Sequence, residues 1–169
     1  MGRQMIFLIG MPAAGKTYWG KRLSEKLGWK FTDLDAFVTE NEKATVPALF
    51  AMYGEAGFRE REHKWLHQLI SENTMPAVIA CGGGTPCYFD NIALMKAAGV
   101  VVYIQVATPV LMQRLFEDST SRPLVSGKSD IEVYLNELLD RRRYYYEQAH
   151  FTLAGEEVTV DGIAKLILL

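Results

Sequence analysis

The chain has 169 residues, with 18 Lys and Arg against 20 Asp and Glu, a formal net charge of −2 and 49% hydrophobic residues. Those values describe one globular domain over residues 1–169, and they exclude a disordered chain. With no basic block or stripe and no apolar run of membrane-spanning length, nucleic acid and membrane are not expected as partners.

In chain order, the apolar run Met5-Ile6-Phe7-Leu8-Ile9 predicts a first strand. Directly after it, residues 10–17 read Gly-Met-Pro-Ala-Ala-Gly-Lys-Thr, a full match to G-x-x-x-x-G-K-[ST]. A chance match in a chain of this length is expected roughly 1 time in 100 or less. Gly10, Met11, Pro12, Ala13, Ala14, Gly15 and the following residues as far as Tyr18 are therefore expected to wrap nucleotide phosphates. Backbone N–H groups at a helix N-terminus would face the anion, Lys16 would reach the β- and γ-phosphates, and the Thr17 hydroxyl would sit on Mg²⁺.

Further strands are predicted over 29–33, 77–81, 100–106 and 151–153, and helices over 15–27, 57–72, 88–98, 109–116, 130–150 and 158–168. Short apolar runs alternating with helix-length segments predict βαβ units, hence an α/β fold with five parallel strands flanked by helices. In such sheets binding sites gather beyond the carboxyl ends of the strands. Asp33 and Asp35 fall there, two apart, so in extended backbone they point the same way. One carboxylate can hold Mg²⁺ and the other can accept a proton from an attacking hydroxyl, or Asp35 can serve as a turn cap opening a helix at Ala36.

Cys81 precedes Gly82-Gly83-Gly84, a run that strips side chains from a loop where backbone must approach a ligand. Cys81 and Cys87 fit neither a disulfide scaffold nor zinc-ligand spacing, which points to reduced thiols and a cytoplasmic protein. Phe58-Arg59 and the run Arg141-Arg142-Arg143 lie on separate helices, and arginines from two helices can clamp a carboxylate bidentately. Residues 117–129 break periodicity around Arg122-Pro123-Leu124, consistent with a lid beside a nucleotide site.

Taken in order, these motifs resemble the shikimate kinase family, small P-loop phosphotransferases of the nucleoside-monophosphate-kinase type, over nearly the whole chain. The D-x-D pattern resembles Asp33-Leu34-Asp35, F-R resembles Phe58-Arg59, G-G-G resembles Gly82 to Gly84, and the lid R-P-L resembles Arg122-Pro123-Leu124. The resemblance implies a three-layer P-loop kinase fold with a substrate-binding subregion at about 33–61 and a lid at about 117–129. It also implies transfer of the ATP γ-phosphoryl to the 3-hydroxyl of shikimate, with Mg²⁺, by a monomer. Asp35 would be the base; Arg59, Arg141 and Gly82 to Gly84 would hold shikimate; Asp33 and Thr17 would serve the metal. Lid Arg122 would engage the phosphates and Arg114 would stack on adenine. Arg141 comes from aligning Tyr145 and Ala149 with the family's R-x-P-L-Y and following Ala; a shift of one residue would move that role about 100° round the helix, to Arg142. The chain departs from the family pattern at Ala13, where glycine is usual, and at Arg143, where the family has proline. A gluconate kinase-like enzyme and a catalytically silent P-loop protein share the first motif without requiring the whole set.

Overall fold

The computed structural model describes residues 5–117 and 130–167, apart from the side chain of Glu156. Five parallel strands form one sheet in the order β2-β3-β1-β4-β5: β1 (Met5–Ile9), β2 (Lys30–Asp33), β3 (Ala77–Ala80), β4 (Val100–Gln105) and β5 (Phe151–Ala154). The three inner strands are the ones written as continuous apolar runs. All residues of β1 and β3 are buried, whereas the edge strands β2 and β5 are mostly half-exposed, as expected when a parallel sheet is covered on both faces.

The helices are α1 (Lys16–Leu27), α2 (Leu34–Glu42), α3 (Val46–Glu72), α4 (Asn91–Ala98), α5 (Thr108–Glu117), α6 (Ile131–Tyr146) and α7 (Val160–Ile167). The connection β1-α1-β2 runs toward one edge of the sheet and β3-α4-β4 toward the other, so right-handed crossovers put α1 and α4 on opposite faces. Helix α1 packs with α7. Because the chain leaves β1 toward one edge and β4 toward the other, a crevice opens beyond the carboxyl ends of these central strands. All the site residues described below lie around it.

Local chemistry sets the helix ends. Gly28 closes α1 in the left-handed region (φ 67°), and Trp29 N–H donates to the Ser24 carbonyl at 2.9 Å. Asp33 caps α2, accepting from Ala36 N–H at 3.2 Å, so the cap is Asp33 and not Asp35. Thr45 caps α3, and Pro47 sits in its first turn, where a missing N–H costs nothing.

Residues 34–53 depart from the sequence expectation, which assigned them no helix. They form α2 and the front of α3, and α3 is interrupted at Gly54 (φ 68°, ψ −178°). Two pieces of about nine residues, each joined to the next by a cap or a break, are too short to show a clear apolar period. The expected helix over 88–98 also begins later, at Asn91, after a 3₁₀ turn at Thr85–Cys87.

The Gly54 backbone is open to glycine alone in practice, although a Cβ there would meet no atom within 4 Å. Replacing Gly54 with Ala should therefore destabilise the protein by about 1–3 kcal/mol through backbone strain, without any steric clash. Urea unfolding of the two forms measures the difference; equal midpoints would show that the break needs no glycine.

Candidate active site

The P-loop leaves β1 at Gly10 (φ 147°), turns through Ala13 (φ 62°) and Gly15 (φ 91°), and enters α1 at Lys16. Gly10 is required sterically: a Cβ there would lie 2.6 Å from the Ile104 carbonyl oxygen. Ala13, the departure from the family pattern, takes the left-handed conformation at a cost of roughly 1–2 kcal/mol. Lys16 Nζ donates to the carbonyls of Gly10 at 3.0 Å and Met11 at 2.8 Å. Burial pulls its pKa down to about 8, and Arg142 adds to the fall while Asp35, Cys81 and Asp33 oppose it. An anion placed in the loop would restore the ammonium to its ordinary range.

Beside Lys16, the Thr17 hydroxyl donates to Asp33 Oδ2 at 2.7 Å. One hydroxyl and one carboxylate oxygen suit a hard cation that takes its remaining ligands from phosphate and water. No group of three His, Cys, Asp or Glu among the described residues forms a metal cage.

Asp35 lies two residues further on, in the first turn of α2. Burial above all, with Glu62 and Asp33, raises its carboxyl to a pKa of about 6 against the opposing pull of Lys16 and Arg59. A carboxylate whose pKa is raised toward neutrality, still largely ionised at pH 7, suits general-base work.

The three glycines after β3 lie against three different side chains. A Cβ on Gly82 would stand 2.9 Å from Asp35 Oδ1, and one on Gly83 would stand 2.8 Å from Arg142 Nη1 and 3.0 Å from Pro12 Cδ. On Gly84 it would run into the Arg59 guanidinium. The glycine run is thus what lets Asp35, Arg142 and Arg59 reach one stretch of backbone.

Arg59 projects from α3, donating through Nη1 to Glu62 Oε1 at 2.8 Å, with Glu55 3.6 Å from Nη2 and the Tyr88 ring centre 4.4 Å away. Burial works against its charge, but Glu62, with Tyr88 and Glu55, outweighs that and raises the Arg59 pKa. Among the described residues its Nε is buried with no hydrogen-bond partner, and so is Nη1 of Arg142.

The helical register of α6 bears on the choice between Arg141 and Arg142. Arg141 is exposed, whereas Arg142 carries the guanidinium that lies against Gly83 and acts on Lys16. The neighbouring anchor explains the register. Tyr146, four residues on from Arg142 and fully buried, stacks on Tyr103 at 4.9 Å and donates its hydroxyl to the Gly83 carbonyl at 2.7 Å. Residues four apart share a helix face, so Arg142 faces inward with Tyr146.

On the nucleotide side, Arg114 Nη1 donates to the Ala13 carbonyl at 3.0 Å. Gly15, Lys16, Thr17, Tyr18 and Arg114 line a shallow cavity of about 550 Å³ at the mouth of the P-loop. Next to it lies a cavity of about 750 Å³ bounded by Ala14, Trp19, Ala107, Arg114, Gly155 and Val158. Arg122 and the rest of the expected lid beyond Glu117 lie outside the described residues.

Glu62 and Thr85 escaped the sequence reading. Glu62 sits in the charged run Arg-Glu-Arg-Glu, which reads as a solvated face, yet it is fully buried. Its spacing of three from Arg59 was the available signal.

Fold and site together define a P-loop phosphotransferase of the nucleoside-monophosphate-kinase type. The family model for shikimate kinase matches residues 12–168, and the chain belongs to that family. A shikimate kinase of Phocaeicola vulgatus is 40% identical over 170 residues, covering 95% of this chain and 96% of the relative. The crystal structure of shikimate kinase from Bacteroides thetaiotaomicron aligns with a TM-score of 0.91 at 35% identity, covering 98% of this chain and 99% of that one. Shikimate kinase from Acinetobacter baumannii in complex with shikimate aligns at 0.85 and 35% identity, covering 98% and 91%.

A raised carboxyl pKa has a cost to folding. Protonated Asp35 is tolerated in the folded chain, so its contribution is intact below about pH 4 and is lost as pH rises through about 6. Asp35→Asn should therefore match wild-type stability at pH 4 and exceed it by about 1–3 kcal/mol at pH 8, while lowering turnover. Urea midpoints at the two pH values check the sign; a variant less stable at pH 8 would contradict the raised pKa.

Proposed function

We infer that the protein is an ATP-dependent shikimate kinase, transferring the γ-phosphoryl of ATP to the 3-hydroxyl of shikimate to give shikimate 3-phosphate and ADP in aromatic amino acid biosynthesis. The observation that supports this most directly is the pair of unpartnered guanidinium N–H groups, Arg59 Nε and Arg142 Nη1, brought by two helices to Gly83 and Gly84. Buried donors without acceptors cost free energy until an acceptor arrives, and a carboxylate of the substrate is the matching anion.

In this reading the P-loop amides and Lys16 hold the phosphates, and Arg114 borders the cavities that would take the rest of the nucleotide. Arg122 is assigned to the phosphates as the lid arginine. Mg²⁺ would be held by Thr17 and Asp33 with phosphate oxygens and water, and supplies charge neutralisation at the phosphates. Asp35 takes the proton from the 3-hydroxyl as that oxygen attacks phosphorus; Gly82 to Gly84 keep the wall of the pocket flat; Arg59 and Arg142 fix the ring by its carboxylate. Phosphoryl transfer draws most of its acceleration from such positioning and charge placement. The chain is taken to work as a cytoplasmic monomer on small molecules, in keeping with two free cysteines.

The two carboxylates should separate by metal dependence. Asp33→Asn keeps a helix cap, so its loss of kcat should be partly recovered at high Mg²⁺, whereas the loss in Asp35→Asn should persist at any Mg²⁺ concentration. Rescue of Asp35→Asn alone would reverse the two roles.

The carboxylate clamp is tested with methyl shikimate. A neutral ester leaves both guanidinium groups unmatched, which should cost about 2–5 kcal/mol of transition-state binding, a fall of roughly 30-fold or more in kcat/KM. Arg59→Ala and Arg142→Ala should each narrow the gap between acid and ester, and Arg141→Ala should leave it unchanged. Equal turnover of acid and ester in the wild-type enzyme would remove the substrate assignment.

A further inference from the structure

Helix α3 presents Arg59, Glu62 and His63 on one face, at spacings of three and four, toward the turn that follows the glycines. Two adjacent residues of that face grip the turn. Glu62 Oε2 accepts from the Thr85 hydroxyl at 2.7 Å, while Glu62 Oε1 holds Arg59. Asn91, the first residue of α4 and fully buried, donates through Nδ2 to the Thr85 carbonyl at 2.8 Å, and its Oδ1 lies 2.7 Å from His63 Nδ1.

The orientation of the amide is fixed by its partners. A carbonyl only accepts, so Nδ2 must face Thr85 and Oδ1 must face His63, which makes His63 Nδ1 the donor. The result is a closed ring of contacts: α3, Glu62, Thr85, Asn91, His63 and back to α3. Within the ring Phe89 takes the left-handed region at φ 51° and stacks on His63 at 4.8 Å.

The glycine turn is where tolerance is least. Gly84 lies so close beneath the Arg59 guanidinium that no Cβ fits between them, so a small displacement of Thr85 moves both Glu62 and the surface on which Arg59 rests.

We propose that Asn91 is a positioning residue for the acceptor site: it holds the Thr85 carbonyl against α3 and so keeps Glu62 and Arg59 set for the carboxylate of the substrate. Asn91 is fully buried, and its side chain bonds to Thr85 and His63, not to the residues assigned to substrate or nucleotide. Its effect belongs to the shikimate side, because the P-loop is built on β1 and α1 and shares none of the ring. This rests on the reading of Arg59 as a carboxylate ligand.

The test compares shikimate and ATP kinetics in Asn91→Ala, His63→Leu, His63→Gln and Arg59→Ala. Asn91→Ala should raise KM for shikimate about 10-fold and change KM for ATP less than about 2-fold, as expected when a buried polar pair is broken on one side of the cleft only. His63→Leu, at a side chain 31% exposed and so tolerant of exchange, should raise shikimate KM about 3-fold. His63→Gln, which again offers an N–H to Asn91 Oδ1, should recover most of that loss. A folded Asn91→Ala enzyme with wild-type shikimate KM, or one whose two KM values rise together, overturns the proposal. Should Asn91→Ala not fold, the histidine pair decides: equal KM in His63→Leu and His63→Gln is equally fatal. Arg59→Ala separates the two levels. Unchanged shikimate KM there means the carboxylate reading itself fails, whereas a large rise in Arg59→Ala with none in Asn91→Ala defeats the positioning role alone.

Discussion

Charged side chains from separate helices meet at one short piece of backbone, and the rest of the site is arranged around that convergence. Asp35 from α2, Arg59 from α3 and Arg142 from α6 each lie against one of Gly82, Gly83 and Gly84, at distances that leave no room for a Cβ. Three consecutive glycines loosen the unfolded chain and add to the entropy lost on folding. Here that cost is offset by access: the guanidinium groups and the carboxylate approach closely because no side chain intervenes. The strand below supplies the rigidity, since β3 is fully buried and Cys81 N–H donates to the Leu8 carbonyl at 3.0 Å as the chain leaves the sheet.

Desolvating so many charges together is unfavourable unless they balance. Lys16, Arg59 and Arg142 stand against Asp33, Asp35 and Glu62, and the residual imbalance shows in the titration of individual groups. The Lys16 ammonium is held down to about 8 and the Asp35 carboxyl up to about 6, both chiefly by burial. In the proposed function, phosphate would relieve the first shift, and the second would ready a proton acceptor. Glu62 does two opposite things at once, keeping Arg59 charged while making Asp35 harder to ionise. A site built this way is less stable empty than filled, which is the usual compromise of a preorganised catalytic centre.

Much of this was legible in the amino-acid sequence, for definite reasons. The five strands and their parallel sense followed from apolar runs separated by helix-length segments, and the P-loop followed from a contiguous motif whose chemistry depends mainly on backbone. Side chains whose place depends on helical phase were harder. The run Arg141-Arg142-Arg143 offers a guanidinium at every position, and only the packing of Tyr146 on Tyr103 selects which one turns inward. Glu62 was hidden because burial of a carboxylate depends on partners, Arg59 and the Thr85 hydroxyl, that come from different places in the chain. Helix α2 and the front of α3 were missed since each is too short for periodicity to stand out.

Those missed helices explain how the acceptor side is carried. The P-loop is part of the sheet, anchored on β1, whereas Asp35 and Arg59 ride on α2 and the long part of α3, joined through the break at Gly54. Glu42, at the end of α2, ties the two together: Oε1 accepts from Trp65 Nε1 at 2.7 Å and Oε2 from Arg61 Nε at 3.2 Å. At the other end Asp33 fastens α2 to the P-loop by accepting from the Thr17 hydroxyl. The carboxylate proposed to serve the metal is therefore also the helix cap that positions the start of α2, where Asp35 stands two residues later. Asp33 thus joins the nucleotide side to the acceptor side through the first turn of α2, alongside the contact of Gly83 with Pro12 and Arg142.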